Sequence, residues 1–138
     1  MARHTCVLLL LVFGAASASR ADDIDDAEEK LAKAREVHAE ALSSVREAVA
    51  KQIDSRVALE EKRKNPDLKK IEALRAEREA LDEGDFPNWI ETRRKKQIAN
   101  ANKRLVTSLR EMRTVYIRAK DLDKAQAIDE EISELSKP

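Results

Sequence analysis

The chain has 138 residues, which is enough for one domain at most. Charged residues make up 39% of it and sum to a net charge of zero, whereas aromatic residues make up 3% and glycine occurs twice. This composition predicts an all-α fold. The lack of a glycine-rich stretch also excludes the common phosphate-binding loops.

The first part of the chain differs in composition from the rest. A basic start precedes an apolar stretch over residues 6–13 and then several small residues, which is the layout of a secretory signal peptide. We predict a signal peptide over residues 1–18 with cleavage after Ala18, and cuts after Ser19 or Ala21 also fit. The alternative is an uncleaved anchor, but the apolar stretch is much shorter than the roughly 20 residues that span a bilayer.

Cleavage of this signal would place the protein in the periplasm, in the cell envelope or outside the cell. It would also remove Cys6, the only cysteine, so no disulfide could stabilise the mature chain. No later segment is apolar enough to cross a membrane. Helix packing alone must therefore hold the mature protein together.

A short acidic leader over residues 19–23 precedes the first predicted helix, which covers about residues 24–63. Mostly apolar side chains recur along it every seven residues, and alanines follow at a companion spacing, as in a coiled coil. The seven-residue stripe comprises Ile24, Leu31, His38, Val45, Gln52 and Leu59. At 1.5 Å per residue this helix would be about 60 Å long, so we expect its alanine-lined first half to extend beyond any compact core.

The second helix is predicted over about residues 66–82. Pro66 cannot continue the first helix but suits the first position of the next one, with Asn65 as the N-cap. Gly84 is placed to act as the C-cap, because glycine readily adopts the left-handed conformation that ends many helices. The predicted apolar face comprises Leu68, Ile71, Leu74 and Leu81.

Residues 84–88 form the predicted joint between two halves of the chain, which Trp89 would fill with apolar surface. The third helix is predicted over about residues 88–119. Asp121 then caps a fourth helix over residues 122–136. The predicted apolar face of this last helix comprises Leu122, Ala125, Ile128, Ile132 and Leu135.

The two halves of the chain resemble each other. When residues 67–81 are aligned with residues 121–135, six of fifteen positions are identical, including the first aspartate and the last leucine. The preceding helices also align in their apolar positions. We therefore predict an all-α fold of four helices, arranged as two consecutive antiparallel helical hairpins over residues 24–83 and 89–136.

Residues 109–138 resemble one unit of the tetratricopeptide repeat. Tyr116 and Ala125 stand nine residues apart, as the tyrosine and the small residue of that repeat do, and "KDLDKA" is similar to its inter-helix corner. Arg113 and Asp129 depart from the repeat's small and aromatic positions. One partial unit does not imply a peptide-binding superhelix. We expect Tyr116 and Ala125 to lock the third helix against the fourth.

Residues 31–136 resemble helical segments of exported proteins of environmental bacteria. The similarity lies in "KKIEALRAEREALDEGDFP", in a basic helix that ends at Tyr116, and in "DLDKAQAIDEEISEL". In that family the segments stand alone or beside carbohydrate-active and lectin-like domains. The resemblance implies a helical fold and export, and it implies no catalytic residue.

Few residues of the mature chain could carry catalysis. A catalytic site needs a nucleophile or an acid–base group in a shielded pocket, and the mature chain has no cysteine and a single histidine. His38 lies on the seven-residue stripe, so we expect a partly buried residue with a hydrogen-bonding neighbour rather than a metal ligand. We predict no enzyme activity, no cofactor and no metal site.

The third helix carries the strongest signal for a ligand. Residues 93–120 hold ten basic residues against one acid, and such a strip could hold an anionic polysaccharide or another envelope polymer. The candidate residues are Arg93, Arg94, Lys95, Lys96, Lys103, Arg104 and Arg110. The alternative is internal neutralisation of the acidic fourth helix and N-terminus, because removal of the signal with Arg3 leaves 26 bases against 27 acids. The lack of base-stacking aromatics argues against nucleic acid.

We therefore expect a non-enzymatic exported scaffold or protein-interaction module that associates with itself or with another protein. The excess length of the first helix is the feature behind this expectation. Too few neighbouring helices are predicted to cover the alanine-lined side of its first half, so that side should pack against the third helix or another chain. The alternative is binding of an anionic polymer through the basic third helix.

Overall fold

The computed structural model describes the backbone of residues 15–137 and the side chains of residues 21–137. The described chain forms four α-helices and no strand: α1 (Ala15–Glu61), α2 (Leu68–Glu83), α3 (Thr92–Ala119) and α4 (Leu122–Leu135). The predicted all-α fold with a long first helix is confirmed. Most of the predicted signal peptide lies outside the described residues, so cleavage after Ala18 stays a prediction. None of the described helices is apolar enough over a sufficient length to cross a membrane.

Helix α1 is a spine along which α3 packs in the opposite direction. It has 47 residues and is about 70 Å long. It includes the described residues before 24 back to Ala15, because no proline or glycine separates those positions. Three polar contacts record the antiparallel register: Gln52 to Glu91 at 3.0 Å, His38 to Asn102 at 2.8 Å and Tyr116 to Glu28 at 2.7 Å.

The two short helices lie at opposite ends of this pair. Helix α2 folds back along the C-terminal part of α1, and α4 packs against the C-terminal part of α3. Ion pairs join α2 to α1 at Lys70–Glu60 (2.8 Å) and Arg75–Glu61 (3.0 Å), and α4 to α1 at Lys124–Glu28 (3.2 Å) and Arg35–Glu131 (2.5 Å). Within the described chain α2 and α4 do not pack on each other. The two hairpins therefore share one long helix pair and no short-helix interface.

Two separate groups of buried side chains follow from this arrangement. The α4 core comprises Leu31, Leu105, Leu109, Met112, Tyr116, Ala125 and Ile128. The α2 core comprises Val45, Val49, Ala50, Ile53, Leu74, Leu81 and Ile90. Tyr116 and Ala125 thus lie together between α3 and α4, as expected. The predicted joint residue Trp89 packs at the edge of the α2 core and donates its indole N–H to Glu77 at 2.7 Å.

The seven-residue stripe fails at the end of α1. The stripe predicts that Leu59 lies on the apolar face, but this residue is 68% exposed, whereas the neighbouring Glu60 is 2% exposed. A straight helix drifts by about 20° per heptad, so a strict seven-residue repeat leaves the buried face after several turns. The buried positions instead continue through Val49 and Ile53 to Glu60.

Two leucines of the predicted apolar faces are also exposed. Leu68 of α2 is 71% exposed and Leu122 of α4 is 68% exposed. Each is the first residue of its helix, and the residues three and six positions later are the buried ones. Because one residue turns a helix by about 100°, the first position lies to the side of the face that the later ones present. The two helices share this deviation, in keeping with their internal similarity.

The predicted cap of α2 is wrong, whereas the other two are confirmed. Asp67, not Asn65, is the N-cap and accepts from the Lys70 N–H at 3.2 Å, so α2 begins after Pro66 rather than at it. Gly84 ends α2 with a left-handed φ of 113°. Asp121 accepts from the Lys124 N–H at 3.2 Å at the start of α4.

Helix α3 begins at Thr92 rather than at residue 88. Its N-cap position is Glu91, which makes no side-chain cap of its own helix. Instead a turn closes ahead of it, with the Ile90 N–H donating to the Pro87 carbonyl at 3.1 Å. Ile90 is thereby buried in the α2 core. The joint thus uses its proline to turn the chain before the helix rather than to start it.

The cap assignment gives a matched pair of variants. Asp67→Ala should lower the free energy of unfolding by about 1 kcal/mol, because the first turn of α2 loses an acceptor for its N–H groups. Asn65→Ala is the control and should change it by less than about 0.5 kcal/mol, as a surface substitution without a capping role. Urea unfolding followed by circular dichroism measures both. Equal losses in the two variants would contradict the assignment.

Candidate functional site

The described residues contain no cluster of metal-ligating side chains. Within that part of the chain no three His, Cys, Asp or Glu side chains lie close enough to hold a metal ion. His38 is half-buried in the seam between α1 and α3, and its Nε2 lies 2.8 Å from Asn102 Oδ1. This is the hydrogen-bonded seam residue that the sequence predicts.

A groove runs between α1 and α3 on the side that α4 does not cover. Helix α1 meets α4 through Glu28 and Arg35, whereas Val37 is turned by about 200° from Arg35 and lines the groove. The central part of the groove has a volume of about 600 Å³. Its floor is mostly apolar and comprises Ala34, Val37, Ala41, Val45, Ala101 and Leu105.

The groove continues toward the N-terminal part of α1. A second depression of about 260 Å³ shares Lys30 and Ser108 with the central part, and a third of about 570 Å³ shares Asp23 and Val115 with the second. Together they extend from Ile24 to Val45 along α1, which corresponds to about 30 Å of helix. This length matches several turns of a docked helix.

Charged side chains follow the rim of the groove in blocks. Lys30, Lys33 and Arg104 stand around the central part. Asp23 and Asp26 stand at the far part, and both are exposed. At the floor, Val37 keeps 56% of its surface exposed, which is more than its position between two packed helices would suggest. Val37 is an isolated apolar residue in "AREVHAE" and lies outside the seven-residue stripe, so no sequence pattern singles it out.

The predicted basic residues occupy the outer surface of α3, where six of the seven are exposed and Arg94 is half-buried. None of the seven forms an ion pair with another of the described residues. The ion pair that joins α3 to α4 is Arg113–Asp129 at 2.6 Å. Arg113 is therefore neutralised within the protein by the acidic α4. The seven candidate residues have no acidic partner among residues 21–137.

Five of those residues form one stripe, which we call the basic face. At about 100° per residue, Arg93, Lys96, Lys103, Arg104 and Arg110 fall within about 120° of one another around the helix. Lys96, Lys103 and Arg110 repeat every seven residues, so their Cα atoms are about 10 Å apart along the axis. Lys95 lies off this stripe, with its ammonium 3.2 Å from the Asn88 carbonyl oxygen.

A polar cluster at the end of the spine ties three helices together. The Tyr116 hydroxyl donates to Glu28 Oε1 at 2.7 Å, and Lys124 Nζ lies 3.2 Å from the same oxygen. The pKa of Glu28 is lowered, mainly because Tyr116 donates to its carboxylate. Burial and this hydrogen bond raise the pKa of Tyr116 to about 12. The cluster is structural and fixes α1, α3 and α4 in one arrangement.

A second polar cluster, which sequence reasoning missed, holds the opposite end. Glu60 is almost fully buried and is paired with Lys70 at 2.8 Å and with Arg63 at 3.2 Å. The pKa of Glu60 is lowered, first because Lys70 donates to it. A buried carboxylate with two cationic partners anchors the turn between α1 and α2. Glu60 lies seven residues after Ile53 and eleven after Val49, on the same face of the helix, and this spacing is the signal that could have found it.

Comparison of the chain with protein-family models, with curated proteins and with solved structures finds no match. The resemblance to helical segments of exported bacterial proteins and the partial resemblance to a tetratricopeptide unit stay predictions.

The titration of Tyr116 gives a direct reading of the α1–α3–α4 cluster. The chain has one tyrosine, so tyrosinate absorbance reports this residue alone. We expect a midpoint of about pH 12 in the folded protein, against 10.0 in denaturant. Because the folded pKa is the higher one, neutral Tyr116 stabilises the fold below pH 10, and this contribution is lost as the pH rises toward 12.

The Tyr116→Phe variant is the control, since it should lack this alkaline loss of stability. Circular dichroism at each pH checks that the helices persist. An unshifted midpoint in a chain that is still helical would contradict the buried hydrogen bond.

Proposed function

We propose that this protein is a non-enzymatic helical interaction module, exported to the cell envelope or beyond, which binds a partner helix in the groove between α1 and α3. The open apolar groove supports the proposal. Export rests on the signal peptide predicted for residues 1–18. No part of the proposal requires a catalytic group.

The physical basis is the incomplete cover of the spine. At one end α3 packs against both α1 and α4, ion pairs join α4 to α1, and the groove lies on the side of the α1–α3 pair that α4 does not cover. In a four-helix bundle, each helix contributes apolar side chains to a common core that the other three helices cover. An amphipathic helix that lays its apolar side on Val37, Ala41 and Leu105 would complete the bundle.

A photo-crosslinking residue at position 37 tests this proposal. We expect the substituted chain to form a covalent adduct with a polypeptide in the cells that produce it. Leu122 is the matched control, because it is an aliphatic residue of similar exposure outside the groove, 68% against 56% for Val37. An adduct from position 37 alone is the expected result. A chain that forms no adduct at position 37, or equal adducts at both positions, would overturn the groove as the interaction site.

A second function is supported by the basic face of α3. Its cations lack acidic partners among the described residues, so their fields add along one side of the helix. We propose that this face binds an anionic polysaccharide or a similar envelope polymer. Such binding depends on the release of counterions from the polymer and weakens as salt rises.

Charge reversal separates this second function from the effect of net charge. The variant Lys96→Glu, Lys103→Glu, Arg110→Glu should elute from a heparin resin at much lower salt than the wild type. The control Lys62→Glu, Lys64→Glu, Lys69→Glu makes the same change of net charge at exposed lysines near the α1–α2 turn. It should elute close to the wild type. If both variants shift equally, retention follows net charge and the basic face is not a binding site.

A further inference from the structure

We infer that the helix received by the groove is α1 of a second copy of this chain, which packs antiparallel to the first α1 about a two-fold axis near Val37. This inference rests on the proposed groove function and names its partner. The evidence is the order of charges along the free side of α1.

The free side of α1 presents alternating blocks of charge on both sides of an apolar centre. The charged residues and the valine on it are exposed and run in the order Asp26, Lys30, Lys33, Val37, Glu40, Glu47 and Lys51, and the register set by Asp26 and Lys51 places Lys30 opposite Glu47. Asp26, Glu40, Glu47 and Lys51 make no ion pair with another of the residues 21–137, while Lys33 pairs only with Glu29 of its own helix at 2.7 Å. The surface is therefore charged at both ends, and most of its charges are unpaired.

Asp26 and Lys51 set the register. They are 25 residues apart, so at about 100° per residue they lie within about 20° of each other around the helix. A two-fold axis midway between them, between His38 and Ala39, places Asp26 of each copy opposite Lys51 of the other. The same axis places Lys33 between Glu40 and Glu47 of the second copy. A two-fold contact must be complementary to itself, and this one is.

Other arrangements of the same two helices bring like charges together. A parallel pair would put Asp26 beside Asp26, Lys33 beside Lys33 and Lys51 beside Lys51. In the antiparallel pair, sliding one helix along the other by one heptad in one direction places Lys33 of each copy opposite Lys51 of the other. Sliding it by one heptad in the other direction brings the two copies of Lys33 to within about one helical turn of each other. Like charges at such positions weaken helix pairing and select against these registers.

The apolar centre of the contact agrees with the register. In it Val37 of each copy lies at the level of Glu40 of the other, beside the small side chain of the following Ala41, with Ala34 and Ala48 further along the same side. Small side chains let two helices approach closely, and the exposed Val37 then becomes buried. Helices α1 and α3 of both copies would form four helices around a shared centre, with α2 and α4 left at the ends.

Cysteine crosslinking tests the register directly in a chain whose Cys6 is replaced by serine. An equimolar mixture of the Asp26→Cys chain and the Lys51→Cys chain should form a disulfide-linked dimer on mild oxidation, because these positions face each other. Each variant alone should stay uncrosslinked, since its two copies of the cysteine would be about 37 Å apart along the axis. Crosslinking of each variant with itself would indicate a parallel pair and would overturn the inference. Absence of crosslinking in the mixture would also overturn it.

Light scattering tests the contact without cysteines. The wild-type chain should be a dimer, and Val37→Asp should weaken dimerisation about tenfold or more, because an unpaired charge would be buried. Asp26→Lys and Lys51→Asp should each weaken it, and the double variant should restore it. Val37 is exposed in the single chain, so these variants should keep their helix content by circular dichroism.

The outcomes separate this inference from the proposed function. A wild-type monomer at high micromolar concentration overturns the second copy as occupant. If position 37 still forms an adduct with a different polypeptide, the groove function stands without self-association. If position 37 forms no adduct of either kind, both fail.

Discussion

The antiparallel contact between α1 and α3 is the interaction on which the rest of the structure depends. Neither short helix touches the other, so each is held only through this long pair. Helix α4 buries few large side chains of its own, and at roughly 2 kcal/mol apiece their burial barely exceeds the cost of ordering its backbone. Both short helices therefore need the spine in place before they gain from folding.

Polar clusters fix the ends of that spine, and its middle has little polar support. Glu60 holds the α2 end through Lys70 and Arg63, and Glu28 holds the α4 end through Tyr116 and Lys124. Between them the polar contacts of the seam are those of His38 with Asn102 and of Gln52 with Glu91, and alanines alternate with a few larger buried side chains such as Val45 and Leu105. The open groove lies along this thin middle, where a further helix would add most to the packing.

Local chemistry made much of the fold predictable. Asp121 and Gly84 act through their nearest neighbours, so the sequence identified them as caps, and helical periodicity identified four helices. The repeat predicts a buried position for Leu59 and none for Glu60, because a seven-residue repeat ignores the rotation that accumulates along a straight helix. The groove could not be predicted from the sequence. It depends on which side of α1 is left uncovered by α4, and no local sequence pattern specifies that arrangement. The composition of α3 identified the basic residues, but only the three-dimensional structure shows that no acidic side chain among residues 21–137 pairs with them.

The separation of the α2 core from the α4 core has an experimental consequence. The single tryptophan lies at the α2 core and the single tyrosine lies in the α4 core. Each core thus carries its own optical probe, and no other tryptophan or tyrosine in the chain interferes. Changes at one end of the molecule can be followed independently of the other, so loss of cooperativity between the two hairpins would be visible without any label.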